Sequence, residues 1–176
     1  PSDMITLGFP AVFLLRADGS TGPPVPGTGY CFCDSGSAWP SGVCGNAGDP
    51  GNGCGNGVAA GGANLSATGA TNPDTVVFTA TGVQQNQACL FFQALNATAR
   101  GDGIAFGDGL RCAGGGVIRL QLTSPDASGT AVTTISVGTK GMVGPGDGAR
   151  RYQAWYRNPG GSPCGNAFNL SNGYEI

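Results

Sequence analysis

The sequence predicts an all-β protein, and three observations carry that prediction. Gly (34 residues) and Pro (12 residues) make up about a quarter of the 176-residue chain, which favours many turns over long helices. Only 10% of the residues are charged, so a helix would lack the surface residues that usually stabilise it. Short apolar or alternating runs recur between turn signals, a pattern typical of a β-sandwich or jelly roll.

Seven runs have the apolar or alternating character of strands, and turn sequences such as Ser124-Pro125-Asp126 separate them. These runs are residues 64–68, 75–81, 88–94, 117–122, 132–137, 152–157 and 174–176. We expect about seven to nine short strands around one two-layer core.

The first 16 residues form a separate region, the N-terminal arm, which a linker over residues 17–29 joins to a body over residues 30–176. Large apolar side chains recur at every second position, so one face of an extended arm is wholly apolar. Burying four or five of them contributes on the order of 10 kcal/mol before ordering costs. We predict a subunit interface through Ile5, Leu7, Phe9, Val12, Phe13 and Leu15.

Two docking modes are open for the N-terminal arm. It either folds back as the first strand of its own sandwich or completes the sheet of a neighbouring copy. The linker is stiffened by Pro23-Pro24-Val25-Pro26, and a stiff, extended tether favours reaching outward. Head-to-tail donation does not close on itself, so it propagates into a filament. We therefore expect a structural subunit whose partners are other copies of itself.

Seven cysteines and no histidine indicate disulfides rather than metal or thiol chemistry. The spacing Cys31-x-Cys33, followed by Cys44 and Cys54, does not match paired zinc knuckles. Disulfides persist outside reducing compartments. We therefore expect an extracellular protein whose signal peptide has already been removed.

The Gly-rich segment over residues 36–62 is the region that most needs a covalent staple, because it can bury little apolar area. Cys44 to Cys54 is the most local pairing across it, and Cys112 to Cys164 is the second pairing we expect. The other pairings stay open, since six cysteines alone permit 15 arrangements. The seventh cysteine is free, or bonded to another subunit, or the set of disulfides is incomplete.

Seven motifs follow one another from Tyr30 to Ile176. They are Tyr30-Cys31-Phe32, the Cys44 to Cys54 loop, residues 63–69, residues 89–93, GDGLRCAGG with the following strand (residues 107–120), YQAWYRN (residues 152–158) and FNLSNG (residues 168–173). In this order they resemble a family of uncharacterised secreted bacterial β-domains, often found near the C-terminal end of large extracellular proteins. The resemblance implies a disulfide-bearing β-sandwich outside the cell and no known activity.

The N-terminal arm lies outside that resemblance. It is similar instead to the N-terminal strand that subunits of pilus-like extracellular filaments donate to the next subunit. This likeness implies a self-assembling fibre.

The residue types present exclude most nucleophilic catalysis. Without histidine, neither a Ser-His-Asp nor a Cys-His arrangement can form. Asp102 and Asp108 are candidates for a carboxylate pair or for weak calcium ligation. Each lies in a Gly-Asp-Gly turn, where aspartate is expected for backbone reasons. We predict no catalytic residue, no cofactor and no enzymatic activity.

The formal net charge of -2, without any basic cluster, argues against nucleic acid as a partner. No apolar run reaches the roughly 20 residues of a membrane span. Three N-x-S/T sequons are candidates for attached glycans, at Asn96, Asn64 and Asn169. Asn96 is the preferred one, because it precedes a Gly-rich turn.

A monomeric extracellular carbohydrate-binding or adhesion module is the alternative function. Trp155, with Tyr152 and Tyr156 nearby in an alternating strand, would supply the sugar-stacking platform. A core position for these aromatic residues is the simpler interpretation, since one face of the strand must be buried.

Overall fold

Strands dominate the structure, a computed structural model that describes residues 25–176. Within this range the chain forms thirteen strands, one five-residue α-helix and one 3-10 turn, and the predicted all-β class is confirmed. The predicted donor strand over residues 1–16 and its interface residues lie outside the described part. Residues 25–176 contain no helix long and apolar enough to cross a membrane.

The larger sheet has six strands, and its neighbours are all antiparallel. The strands are β1 (Thr28–Tyr30), β4 (Cys89–Ala94), β9 (Ile118–Thr123), β11 (Arg151–Arg157), β12 (Phe168–Leu170) and β13 (Gly173–Glu175). The order across the sheet is β1-β13-β11-β4-β9, and β12 also pairs with β11. β1 and β9 therefore form opposite edges of this sheet. The first two residues of β1, Thr28 and Gly29, belong to the predicted linker.

A smaller antiparallel sheet forms the second layer, in the order β10-β3-β2. Its strands are β2 (Asn64–Thr68), β3 (Val77–Thr81) and β10 (Ala131–Val132). Alternation along β2 and β3 turns Leu65 and Phe78 toward the larger sheet, where both are buried. The ring of Phe78 lies 4.6 Å from that of Tyr152. The main core thus fills the space between two sheets, as in a sandwich.

Two short ribbons and a helix complete the described chain. The ribbons pair β5 (Asn96–Ala97) with β8 (Ala113–Gly114), and β6 (Ile104–Phe106) with β7 (Gly109–Arg111). The helix, α1 (Val137–Gly141), begins after Ser136, whose hydroxyl oxygen accepts a hydrogen bond from the Thr139 amide. Such a cap satisfies a donor that the first turn leaves free.

Six of the seven runs predicted as strands coincide with β2, β3, β4, β9, β11 and β13. The strand predicted over residues 132–137 is wrong beyond Val132. The chain leaves β10 after that residue, and α1 begins at Val137 because Ser136 caps it. The sequence pattern did not predict β1, β12 or the four ribbon strands. Strands of two or three residues are too short to show a period of two.

Three disulfides are present, and they differ from the expected pairings. The bonds are Cys31–Cys112, Cys33–Cys54 and Cys44–Cys164. The predicted pairs Cys44–Cys54 and Cys112–Cys164 are therefore wrong, although these four cysteines are all bonded. Two of the three observed disulfides join segments that lie far apart in sequence.

The physical reason is that the Gly-rich segment packs on the body instead of closing on itself. The Asn46 side-chain amide donates to the Asp108 carbonyl at 2.8 Å. From the other side, the Asn169 amide donates to the Gly55 carbonyl at 3.0 Å. Because these bonds bring the segment against distant parts of the chain, the nearest cysteine in space is not the nearest in sequence.

Cys89 is the remaining cysteine, free and buried in the core between the two sheets. Burial raises the pKa of its thiol to about 12. The thiol is therefore protonated at neutral pH and unreactive in the folded chain.

Candidate functional site

A row of apolar side chains crosses the outer face of the larger sheet and ends at its edge. Trp155 on β11 lies opposite Leu90 on β4, which lies opposite Leu122 on β9. Leu122 is 67% exposed. A contiguous apolar patch of this kind at a sheet edge, unlike a single exposed residue, marks a contact surface.

A shift in register brings Leu122 to that face. Phe91 pairs with Gln121 but Phe92 pairs with Arg119, so Leu120 has no partner between them. Leu120 is buried in the main core, whereas Leu122 pairs with Leu90 on the outer side. A bulge of this kind reverses the alternation of a strand beyond it.

An open groove of about 570 Å³ lies over this face, and we call it the outer groove. Its apolar lining consists of Leu90, Phe92, Phe106, Val117, Leu120, Leu122, Trp155 and Leu170. Beneath it, Phe92 and Leu170 belong to a small core cluster that also packs against Trp155. The groove therefore has a rigid apolar floor and a size typical of binding sites.

Three cations border the outer groove, and we call them the cation cluster: Arg111, Arg119 and Lys140. None of the groove-lining residues described is acidic. The ion pairs of residues 25–176 involve Arg150 and Arg151 instead. The cation cluster thus makes this side of the molecule positive although the chain carries a net charge of -2.

Two members of the cation cluster, Arg119 and Lys140, lie at one end of β9. Arg119 is opposite Phe92, near the start of that strand. Lys140 precedes Gly141, whose carbonyl accepts from Gln93, the partner of Ile118.

Arg111 lies between that end and the aromatic wall of the outer groove. Its Nε donates to the carbonyl of Ala113 at 3.2 Å, and Ala113 packs in one cluster with Phe92 and Ala94. The outer groove therefore carries Arg119 and Lys140, beside exposed Val117, at the amino end of β9, and only uncharged lining residues near Leu122.

Aromatic rings form one wall of the outer groove. The ring centroids of Trp155 and Phe168 are 5.8 Å apart, and those of Phe106 and Phe168 are 5.2 Å apart. The guanidinium of Arg111 lies 5.9 Å from the Phe106 ring centroid, within the range of a cation–π contact. Trp155 is only partly buried: it packs against the small core cluster and also lines the outer groove.

The free edge of β9 adjoins the outer groove. Among the described residues, β9 has backbone pairing with β4 and with no other strand. The chain after β10 passes close to β9: the Gln121 side chain bonds Thr134, and α1 packs against β9 near its amino end. Six residues of β9 thus leave half of their backbone groups without a strand partner, the arrangement that strand addition requires.

The other edges of the two sheets are less suited to strand addition. β1 has three residues and β10 has two. On β2, the Asn172 side chain already bonds both the amide and the carbonyl of Leu65. β9 is therefore the longest free edge in the described chain.

The two candidate aspartates occupy different environments. Asp108 is fully buried, and its carboxylate accepts from the Ser162 hydroxyl and from the Asn166 amide and side chain. Asp102 is exposed, and its backbone carbonyl accepts from Trp39. Residues 25–176 hold no group of three or more acidic, Cys or His side chains placed to bind a metal. Asp108 therefore organises a turn.

The three sequons also differ. Asn169 is fully buried, and its amide nitrogen donates to the carbonyls of Cys54 and Gly55. The Asn64 amide donates to Gly51 and Asn52. Asn96 is exposed on β5. A sugar on Asn169 would have to displace the surrounding chain, whereas Asn96 has open space.

No protein-family model, curated protein or solved structure matches this chain. The fold and the outer groove are therefore the observations from which a function has to be argued.

Proposed function

We propose that this protein is the structural subunit of an extracellular filament, in which the N-terminal arm of one copy adds a strand to the sheet of the next. The observation that supports this is the free six-residue edge of β9 with exposed Leu122 on it. Such an edge is an aggregation hazard unless a specific strand covers it. The chain contains a segment suited to that task, the arm with its apolar face.

The expected energetics favour stable assembly. Side chains such as Phe9, Phe13 and Leu15 contribute roughly 1.5–3 kcal/mol each when fully buried. Backbone hydrogen bonds to β9 add register and specificity. Ordering the arm opposes these gains by about 1–2 kcal/mol per residue fixed. The apolar side chains therefore decide whether the arm docks.

The disulfides support an extracellular location for the proposed filament. Three bonds in one domain are typical of proteins from oxidising compartments. Two of them close loops of 81 and 120 residues, which stabilises the body strongly against unfolding. A filament subunit exposed to proteases benefits from such bonds.

Deleting residues 1–16 tests the proposal. The expected product is a soluble monomer whose body keeps its disulfides and its cooperative unfolding, because residues 25–176 by themselves supply the side chains of the two-sheet core. Negative-stain microscopy and sedimentation measure the loss of filaments. Filaments that persist after the deletion, or full-length protein that stays monomeric at every concentration, would contradict the proposal.

A pair of point variants provides the matched control. Phe9→Asp places a charge on the apolar face of the arm, and we expect it to abolish assembly. Thr6→Asp introduces the same charge on the opposite face, and we expect assembly to continue. Equal loss in both variants would indicate that arm charge, and not apolar docking, controls assembly.

A monomeric carbohydrate-binding module is the second candidate, because Trp155 and Phe106 present partly exposed rings to the outer groove. Aromatic faces stack on pyranose rings, and Arg111 would bond sugar hydroxyls. A glycan array with the full-length protein separates the two functions. Saturable binding that Trp155→Ala abolishes, in protein that forms no filaments, would favour the module.

A further inference from the structure

We infer that the donated arm runs parallel to β9 along the outer groove, with its Asp3 end at the cation cluster, and that it comes from a second copy of the chain. This inference rests on the proposed function and specifies the acceptor site, the direction of the arm and its source.

The direction follows from the polarity of the groove. Arg119 and Lys140 lie at the amino end of β9, and Leu122 lies toward its carboxyl end. Residues 1–16 contain two charged residues, Asp3 near one end and Arg16 at the other. An antiparallel arm would bring Arg16 to Arg119 and Lys140, whereas a parallel arm brings Asp3 to them.

The apolar contacts fit the same placement. A strand added to β9 lies next to Leu122 and extends the row that Trp155 and Leu90 begin. Cross-strand apolar neighbours on one face stabilise a sheet. Every second residue of the arm from Ile5 to Leu15 is apolar, so one face of the arm can pack against this row. Burial of the apolar side chains of the arm thus supplies the binding free energy, and the charges of Asp3 and Arg16 select the direction in which the arm binds.

The source of the arm follows from where the linker enters the body. Cross-strand pairing places four residues at the same level of the larger sheet: Thr28 of β1, Glu175 of β13, Arg151 of β11 and Ala94 of β4. Since Gln93 is the partner of Ile118, the linker enters at the cationic end of the sheet, on the edge opposite β9.

The distances then exclude docking of a parallel arm in its own domain. Residues 4–16 span about 43 Å as a strand, and an arm beyond β9 lies five strand spacings, about 24 Å, from β1. Arg16 would therefore be about 49 Å from Thr28, whereas the chain between these two residues reaches at most about 43 Å when fully extended. An antiparallel arm would end about 24 Å from Thr28, within the reach of the linker. The direction of the arm therefore decides its source: an arm parallel to β9 has to come from a second copy, whereas an antiparallel arm can come from the same chain.

Cysteine cross-linking of mixed variants tests the inference. Val117→Cys marks the cationic end of β9, and Ser124→Cys marks the other end, about 23 Å away. The Val117→Cys variant and the Ser124→Cys variant are each mixed, under mild oxidation, with a second variant that carries only Met4→Cys. The products are separated on non-reducing gels. We expect a cross-linked dimer with Val117→Cys and none with Ser124→Cys.

The remaining outcomes overturn defined parts of the inference. A dimer with Ser124→Cys instead would overturn the parallel direction. A cross-link within one chain carrying both Met4→Cys and Val117→Cys, seen as a faster-migrating monomer, would overturn the second copy as source. Filaments without either cross-link would overturn the acceptor site while leaving the proposed function standing. Absence of filaments from the unaltered protein would overturn the proposed function itself.

A charge variant tests the role of Asp3 directly. Asp3→Asn is expected to raise the critical concentration for assembly about two- to five-fold, as for loss of one exposed ion pair. Asp18→Asn, which removes a carboxylate from the linker, is expected to leave it unchanged. The Asp3 effect should disappear at high salt, because exposed pairs are screened. An unchanged critical concentration for Asp3→Asn would overturn the electrostatic choice of direction.

Discussion

Asp108 and Asp102 lie in identical Gly-Asp-Gly tripeptides, yet only Asp108 has a structural task. Its carboxylate accepts three hydrogen bonds, from Ser162 and Asn166, inside the turn that follows β6. Asp102 has its side chain in solvent. Because the tripeptides are the same, the sequence could not distinguish the two residues, and burial does.

Asp108→Ala is expected to lower the free energy of unfolding by about 2–3 kcal/mol, since it leaves donors of Ser162 and Asn166 unpaired. Asp102→Ala serves as the control and should change the free energy by less than about 0.5 kcal/mol. Urea denaturation monitored by tryptophan fluorescence measures both. Equal effects of the two variants would show that the Asp108 bonds contribute little.

At the scale of elements, Gln153 joins β11 to the chain that leads from β7 into β8 and to the chain after β12. Its side-chain oxygen accepts from the amides of Cys112 and Ala113, and its nitrogen donates to the carbonyls of Leu110 and Ser171. Gln153 is fully buried. One side chain thus satisfies four backbone groups that no strand ladder reaches.

Gln153→Leu is expected to destabilise the protein by about 3–5 kcal/mol, because several buried backbone groups lose their partners at once. Gln85→Leu, at an exposed position, is the matched control, with an effect within about 0.5 kcal/mol. Thermal or urea unfolding gives the comparison. A change below about 1 kcal/mol for Gln153→Leu would mean that water or a rearranged ribbon replaces the lost bonds.

At the scale of the whole molecule, the disulfide between Cys44 and Cys164 ties the Gly-rich segment to the far end of the chain. Replacing both by serine is expected to cost about 2–5 kcal/mol of unfolding free energy. Peptide mapping without reduction checks the pairing itself. A peptide joining Cys44 to Cys54 would contradict the observed connectivity.

Much of the fold follows from local pattern. The strands β2, β3, β4, β9 and β11 have five to seven residues each, long enough for apolar or alternating character to identify them. The short ribbons and β12 lack such a pattern, and α1 depends on a single cap at Ser136. The sequence also places an apolar arm on a proline-rich linker, which is the basis of the proposed function.

The outer groove depended on tertiary structure. Simple alternation places Leu120 and Leu122 on the same face of β9, and only the shift in pairing opposite Phe91 and Phe92 separates them. Likewise, Arg111, Arg119 and Lys140 come from three different elements. Pairing register and chain crossings are properties of contacts between distant segments, so no local window contains them.

By itself, the sequence determined the all-β class, the apolar N-terminal arm and the use of cysteines in disulfides, because composition and short-range period specify these features. Tertiary structure decided which cysteines pair, which sheet edge stays free and which end of the outer groove carries positive charge. Each of those depends on packing the Gly-rich segment and the ribbons against the larger sheet, and residues far apart in the chain supply that packing energy.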